Sequence, residues 1–459
     1  MASKEFSIKA KAVQPVSTKH RIIKTPTIPV EESLPILNEL RDNEPMSMRG
    51  QPPIIWDHGE GFHVFDPYGN MWLDWSSGVL VANAGHGRKE IIDALREVVD
   101  KGQLHNYCFP SNPRAKLAKK LVEIAPKEMT RAFILTTGAE STECAIKLAK
   151  TWGLKQGGKE KNVIVSYDEA FHGRTMGSQL AGGIPALKEW LGTPDPSFVQ
   201  VPFPGSNIVI DKSFELFEKT LADKGIKAEN VAGVISETYQ GGHCGFMPNE
   251  YAKKLRAWCT KHDAVMIYDE VQAGFGRTGK MWGFEHHDIV PDIMCLGKGI
   301  SSSLPLSAVV GKEEIMNQYG PGSMTSTHTG HPLGSVASLA SIDIIEREGL
   351  VENAAKLGEV LAVELEKIRA RHPEIFDLEG RGLVFALMAI KDRKTMEVDD
   401  ELAFDIINYC FERGLLMFAP VGRGGGTVKV SPPLCITEEA IMEGLKVLNE
   451  AVDYCIANR

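Results

Sequence analysis

Between residues 131 and 311 the chain alternates six short apolar runs with stretches of helical patterning. The runs fall at 132–135, 163–166, 231–236, 264–268, 293–296 and 307–310. Few folds accept such an alternation. A parallel strand pair needs a long crossover, and a helix between strands supplies it. The expected fold class is α/β, a mostly parallel sheet covered by helices on both faces. In such sheets ligands collect beyond the carboxyl ends of the strands. The residues that close each apolar run are therefore the first candidates for chemistry.

Two of these ends fall within residues 265–298, VMIYDEVQAGFGRTGKMWGFEHHDIVPDIMCLGK. Asp269 closes one run, and Lys298 follows Gly297 just past another. A Schiff-base lysine and an acid for a pyridinium nitrogen are the two protein groups that pyridoxal phosphate requires. Similar strand ends occur in nucleotide-binding α/β proteins, including P-loop enzymes, so the pair needs company. TTGAESTECAIKLAK (136–150) places a turn before a helix, where free N–H groups and the positive helix end suit a phosphate. Gly138 lets the backbone approach such a group. YDEAFHGRT (167–175) carries Phe171, a ring that can cover a heteroaromatic ligand or fill core. VISETYQGGHCG (234–245) ends a strand at Glu237, a residue for the same crevice or for solvent, and STHTGHPLG (326–334) holds Thr327 five residues before Pro332.

Taken together, from about residue 61 to residue 436, these motifs resemble the class III (ω-type) pyridoxal-phosphate-dependent aminotransferases, with the character of 4-aminobutyrate and ω-amino acid aminotransferases. The resemblance implies fold type I, a large domain with the mostly parallel sheet and a smaller α+β domain drawn from both termini. It implies that Lys298 forms the Schiff base and shuttles the proton, and that Asp269 pairs with the ring nitrogen. Gln272 would bond the phenolic oxygen, Phe171 would stack on the ring with His172 close by, and Gly138 and Ala139 would hold the phosphate. Thr327 would reach the phosphate of a neighbouring subunit's cofactor. The working form is then a homodimer with shared sites, or a tetramer of such dimers. Glu237 would lie at the cofactor and act as a charge switch, masking a cation until a second carboxylate competes for it. This chain departs from the family pattern at Thr238, where a Pro is usual, at His243-Cys244, and at His328, Thr329 and His331.

The substrate is less constrained. The family's α-carboxylate arginine corresponds here to Lys429, three residues before Pro432-Pro433-Leu434. A lysine attracts a carboxylate without the planar fork that grips it in two places. Arg423, in the glycine-rich run before it, is the other candidate reader. Gly78 stands where some relatives carry a bulky aromatic. With Glu237, the resulting room favours a terminal amine such as that of 4-aminobutyrate as donor, with 2-oxoglutarate or pyruvate as acceptor. An amino-acid racemase or a dialkylglycine-type decarboxylase on the same fold is the alternative.

The bulk numbers exclude other classes. A net charge of −9 leaves no electrostatic footprint for nucleic acid or an anionic membrane. No apolar run reaches the roughly 18 residues that a membrane span needs. The 13 histidines show no ligand spacing, so no metal is expected, and the eight cysteines form no CxxC pair, which suits a reducing cytoplasm. Expected partners are a small-molecule amine donor and a keto-acid acceptor. The expected division is 1–85 (N-terminal segment and part of the small domain), 86–345 (large cofactor-binding domain) and 346–459 (C-terminal small domain). Residues 1 to about 50 read as an extended lead-in with one helix near 34–41, and GFHVFDPYGNMWLDW (61–75) reads as a hairpin.

Overall fold

The computed structural model describes residues 4–206, 208–209 and 211–459. The chain forms two compact units, Lys89–Val351 and Met1–Arg88 with Glu352–Arg459.

The larger unit is built on a seven-stranded sheet. Its strands are β1 (Met129–Leu135), β2 (Val163–Tyr167), β3 (Phe198–Val201), β4 (Val231–Glu237), β5 (Val265–Asp269), β6 (Ile293–Leu296) and β7 (Ser307–Lys312). They lie in the order β3-β2-β4-β5-β6-β7-β1, and β7 runs against the other six. The six apolar runs of the sequence are all strands. The seventh, β3, is a short edge strand with a Gln among its four residues, and its apolar signal is too brief to register. The reversed direction of β7 is likewise invisible, because an apolar run reads the same both ways.

Helix α1 (Gly138–Gly157) packs across this sheet. Its Cys144, Ala145, Ile146, Leu148 and Ala149 share one core with Ile164, Ile235, Ile267, Ile293 and Cys295 from the strands. Small side chains at Ala145 and Ala149 let the helix lie close, and each large aliphatic buried there contributes about 1.5–3 kcal/mol. Thr137 starts the helix, its hydroxyl accepting from Glu140 N at 3.2 Å, and Gly158 ends it at φ 71°. Helices α2 (Asn249–Lys261) and α3 (Pro332–Arg347) belong to the same unit.

Besides a two-stranded pair, Lys11–Ala12 with Thr27–Ile28, the smaller unit holds two larger sheets. In one, Met71–Asp74 pairs antiparallel with His63–Phe65 and Ile22–Ile23 and parallel with Leu415–Leu416, so the expected hairpin forms and both termini enter one sheet. Ile23, Ile28, Val64, Trp72, Phe411 and Leu416 fill its core. In the other, Val384–Asp392 lies between Ile375–Arg381 and Thr427–Val430, all antiparallel. Gly382 at φ 58° makes the turn between Ile375–Arg381 and Val384–Asp392. Helices run over Leu34–Asn43 and Glu438–Ala457. Among the described residues no helix is long and apolar enough to cross a membrane.

Candidate active site

The strand register of the larger unit brings the key carboxylates level. Glu237 is the last residue of β4 and lies opposite Asp269, the last of β5, which in turn lies opposite Cys295 of β6. Lys298 follows three residues later, in a 3₁₀ turn and at φ 44°. A non-glycine residue held there costs about 1–3 kcal/mol and persists only where its surroundings impose it.

A cavity of about 210 Å³ opens at these strand ends. Gly138, Ala139, Phe171, His172, Glu237, Asp269, Gln272 and Lys298 line it, along with Gly173, Tyr239 and Val271. Close approach of two glycines shapes the cavity. A Cβ built on Gly297 would lie 3.4 Å from Gly138 Cα and 3.1 Å from Val271 Cγ1, and one on Gly138 would meet the same Cγ1 at 2.9 Å. Larger residues would push the start of α1 away from the lysine turn.

Hydrogen bonds fix the polar walls. Asp269 Oδ1 accepts from Val271 N at 3.0 Å, and Oδ2 lies 2.8 Å from His172 Nδ1. Burial works against a charged His172, but the hydrogen bond and charge of Asp269, with the charge of Glu237, outweigh it and raise its pKa. The His172 carbonyl accepts from Thr142 Oγ1 at 2.8 Å, which ties the ring's backbone to α1. Glu237 Oε2 accepts from Phe171 N at 3.1 Å and Oε1 from Gly241 N at 2.9 Å. Burial pushes this carboxyl up to about 7, against the pull of the nearby His172. For Glu237 to swing as a charge switch, both backbone bonds would have to break.

Neighbouring groups absorb one departure from the family pattern. Thr238 Oγ1 donates to Glu270, whose carboxylate also accepts from Gly283 N at 2.6 Å and Phe284 N at 3.1 Å. Glu270 is buried and is likewise pushed up to about 7 by that burial. Tyr239, which lines the cavity, and Glu270 carried no sequence signal beyond standing next to Glu237 and Asp269.

Other expected residues lie elsewhere. Thr327 does not line the cavity and sits on an exposed turn of the larger unit. Gly78, Arg423 and Lys429 belong to the smaller unit. Lys429, in Thr427–Val430 opposite Ala386, is 1% exposed, so it does not face solvent. Arg423 lies between Gly422 (φ 74°) and Gly424 (φ 60°). Gly78 lies in a turn where Ser77, Gly78, Val79 and Leu80 all take positive φ, from 50° to 64°. A Cβ built on Gly78 meets nothing within 4 Å. Among the described residues no group of His, Cys, Asp and Glu is gathered as a metal ion would need.

The cavity suits pyridoxal phosphate. The first N–H groups of a 20-residue helix would suit a phosphate, Phe171 offers a ring, Asp269 a braced carboxylate and Lys298 an amine. His172 Nε2 is buried without a hydrogen-bond partner, an open polar site in the wall.

Comparison with known proteins gives the same direction. The pattern of the family Aminotransferase class-III matches residues 46–452. An isoleucine 2-epimerase of Lentilactobacillus buchneri is 33% identical over 414 residues, 87% of this chain and 89% of that protein. A probable 4-aminobutyrate aminotransferase of Bacillus subtilis is 31% identical over 408 residues, 85% of this chain and 91% of that protein. Among solved structures, a PMP-bound aminotransferase from Vibrio fluvialis superposes with a TM-score of 0.80 at 28% identity, covering 92% of this chain and 95% of that one.

Proposed function

The chain belongs to the class III aminotransferases, enzymes that work with pyridoxal phosphate, and on that premise we propose that it takes the amino group from a terminal amine, 4-aminobutyrate or a similar ω-amino acid, and delivers it to 2-oxoglutarate or pyruvate. The observation that carries the reading is the cavity at the strand ends, where Lys298 and the braced Asp269 stand in one wall.

When bound, the cofactor supplies an electron sink for the carbon that loses its proton. Lys298 Nζ would be its covalent anchor, and the free Lys298 amine would serve as general base and acid toward the substrate carbon. Asp269 would hold the ring nitrogen by a charge-assisted hydrogen bond, and His172, 2.8 Å from its Oδ2, keeps that side chain aimed. Phe171 covers a ring face, its position set by the bond from Phe171 N to Glu237. Gln272 takes the phenolic oxygen, and Gly138 and Ala139 take the phosphate. Thr327 of a second copy completes the phosphate contacts, so the working form is a homodimer with shared sites. Gly78 leaves room for the substrate, Arg423 or Lys429 reads the keto-acid carboxylate, and Glu237 supplies the opposing charge. The eight free thiols fit a cytoplasmic protein.

A second reading has its own support. Lys429 replaces the forked arginine, and one relative is named for epimerising isoleucine, a neutral amino acid. Incubation with 4-aminobutyrate and 2-oxoglutarate or pyruvate separates the two. Glutamate or alanine forms under the first reading. Under the second, neither forms, and L-isoleucine loses optical purity with no keto acid present.

A further inference from the structure

The turn that carries Thr327 is fastened on both sides while Thr327 itself stays exposed. Thr329 Oγ1, buried, donates to Ile134 O of β1 at 2.8 Å. Ser326 Oγ donates to Glu140 Oε1 at 3.2 Å, and Cys108 Sγ lies 3.9 Å from Ser326 O. Within the turn, Thr329 N donates to Ser326 O and His331 N to His328 O, both at 3.1 Å. Gly330, at φ 54°, lies against the Arg114 side chain where a Cβ would stand. The Thr327 hydroxyl makes no hydrogen bond to another described residue.

Glu140 is the link worth following. It is the residue after Gly138-Ala139, in the first turn of α1. Its Oε2 accepts from Thr136 N at 2.9 Å and from Thr136 Oγ1 at 2.6 Å, so the carboxylate closes the strand-to-helix loop that forms the phosphate cup. Its other oxygen holds Ser326. One side chain therefore sets the cup and, by one further bond, the turn bearing Thr327.

We propose that Glu140 and Ser326 are positioning residues that act in trans: they aim Thr327 at the cofactor phosphate of the second copy while Glu140 shapes the cup of its own chain. The proposal rests on the reading of Thr327 given under the proposed function. An exposed threonine on a loose turn would lose much of its contact to side-chain and backbone entropy. A turn pinned at Ile134, Glu140 and Arg114 has already met that cost.

Mixed dimers test it. One chain carries K298A, so the visible band of lysine-bound cofactor reports only the intact chain's site. Into the K298A chain goes S326A, E140A, E140Q or T327A, and the apo dimer is titrated with pyridoxal phosphate. S326A removes a single hydroxyl from a turn still held by Thr329, so its fold is not at stake. The expected result is about fivefold weaker binding at the intact site with S326A or E140A, the loss of one hydrogen bond. E140Q should recover most of it, because the Ser326 hydroxyl can donate to or accept from an amide. If T327A weakens the intact site while S326A and E140A leave it unchanged, the positioning proposal is wrong and Thr327 keeps its role. If T327A also changes nothing, the reading of Thr327 falls and this proposal with it.

Discussion

The strand ends of the larger unit and the left-handed turn at 77–80 in the smaller unit hold their shapes in opposite ways. At the strand ends most of the backbone is ordinary, and function comes from register: Glu237 opposite Asp269, with Lys298 a short turn beyond. At residues 77–80 the backbone itself is the unusual object. Four consecutive positive φ values include Ser77, Val79 and Leu80, and each non-glycine residue so placed costs about 1–2 kcal/mol. A network offsets that cost. Ser76 Oγ accepts from Gly78 N at 3.0 Å and donates to Asp74 Oδ1 at 2.6 Å, and Asp74 Oδ2 lies 2.7 Å from His86 Nε2. Ser77 Oγ donates to Ser431 O at 2.6 Å, two residues past Lys429. Parallel strands aim the groups at the strand ends with Lys298 as the one strained residue among them, whereas the turn at 77–80 is strained throughout and held by side-chain bonds.

Variants at the strand ends should break the larger unit's half of the comparison outright. Lys298→Ala should still bind the cofactor through phosphate and ring contacts yet lower transamination by about four orders of magnitude or more. Near-normal turnover in steady-state assays would remove the lysine from its role. Asp269→Asn should keep the lysine-bound cofactor and cost about 3 kcal/mol in the transition state. Full rescue by excess cofactor would mean that Asp269 serves binding alone.

A pH series probes the buried carboxylates of the same region. Glu237 and Glu270 sit near 7 in the folded chain against 4.5 for an ordinary Glu. A raised carboxyl means that its share of stability is complete below about 4.5 and is lost as pH rises through about 7. Urea melts of the apoprotein should therefore show stability declining from about pH 5 to pH 8, with Glu270→Gln less stable at pH 5 but with a shallower decline. For one such group the span is of order 3 kcal/mol. An unchanged slope in the variant would place its proton elsewhere.

Smaller effects belong to the other unit. Arg423→Ala and Lys429→Ala should weaken the keto-acid half-reaction unequally, by roughly 1.5–3 kcal/mol for the residue that reads the carboxylate. Equal small effects on both half-reactions, in stopped-flow traces of both variants, would take these residues out of the site. The subtlest test is Val79→Gly. Relief of a β-branched residue from φ 64° should stabilise the chain by about 0.5–1 kcal/mol in thermal melts. A loss of stability would mean that the turn is not strained.

How much of this could be read from residues alone follows the same divide. Apolar period and strand-end position gave the sheet and placed Asp269, Glu237 and Lys298, since a parallel sheet converts sequence order into spatial order. Phe171, His172, Gln272, Gly138 and Ala139 came from motif resemblance, and each lines the cavity. What escaped depends on contacts between distant segments. The bond from Phe171 to Glu237, the tie from Thr238 to Glu270 and that from Glu140 to Ser326 join residues 32 to 186 positions apart, and no local pattern encodes them. The left-handed turn was hidden for a related reason. Ser-Ser-Gly-Val-Leu has ordinary local preferences, and bonds to Asp74, His86 and Ser431 brace its shape.

The central claim, that the strand-end cluster moves an amino group from a terminal amine, is tested most directly by the first half-reaction alone. Enzyme loaded with pyridoxal phosphate is mixed with 4-aminobutyrate and with a panel of ω-amino acids and amines, no keto acid present, and the visible spectrum is followed. The account predicts that at least one terminal amine bleaches the band of lysine-bound cofactor with one equivalent of carbonyl product per site, and that pyruvate or 2-oxoglutarate restores it. Retention of the band with every terminal amine, while a chiral α-amino acid loses optical purity, would contradict it.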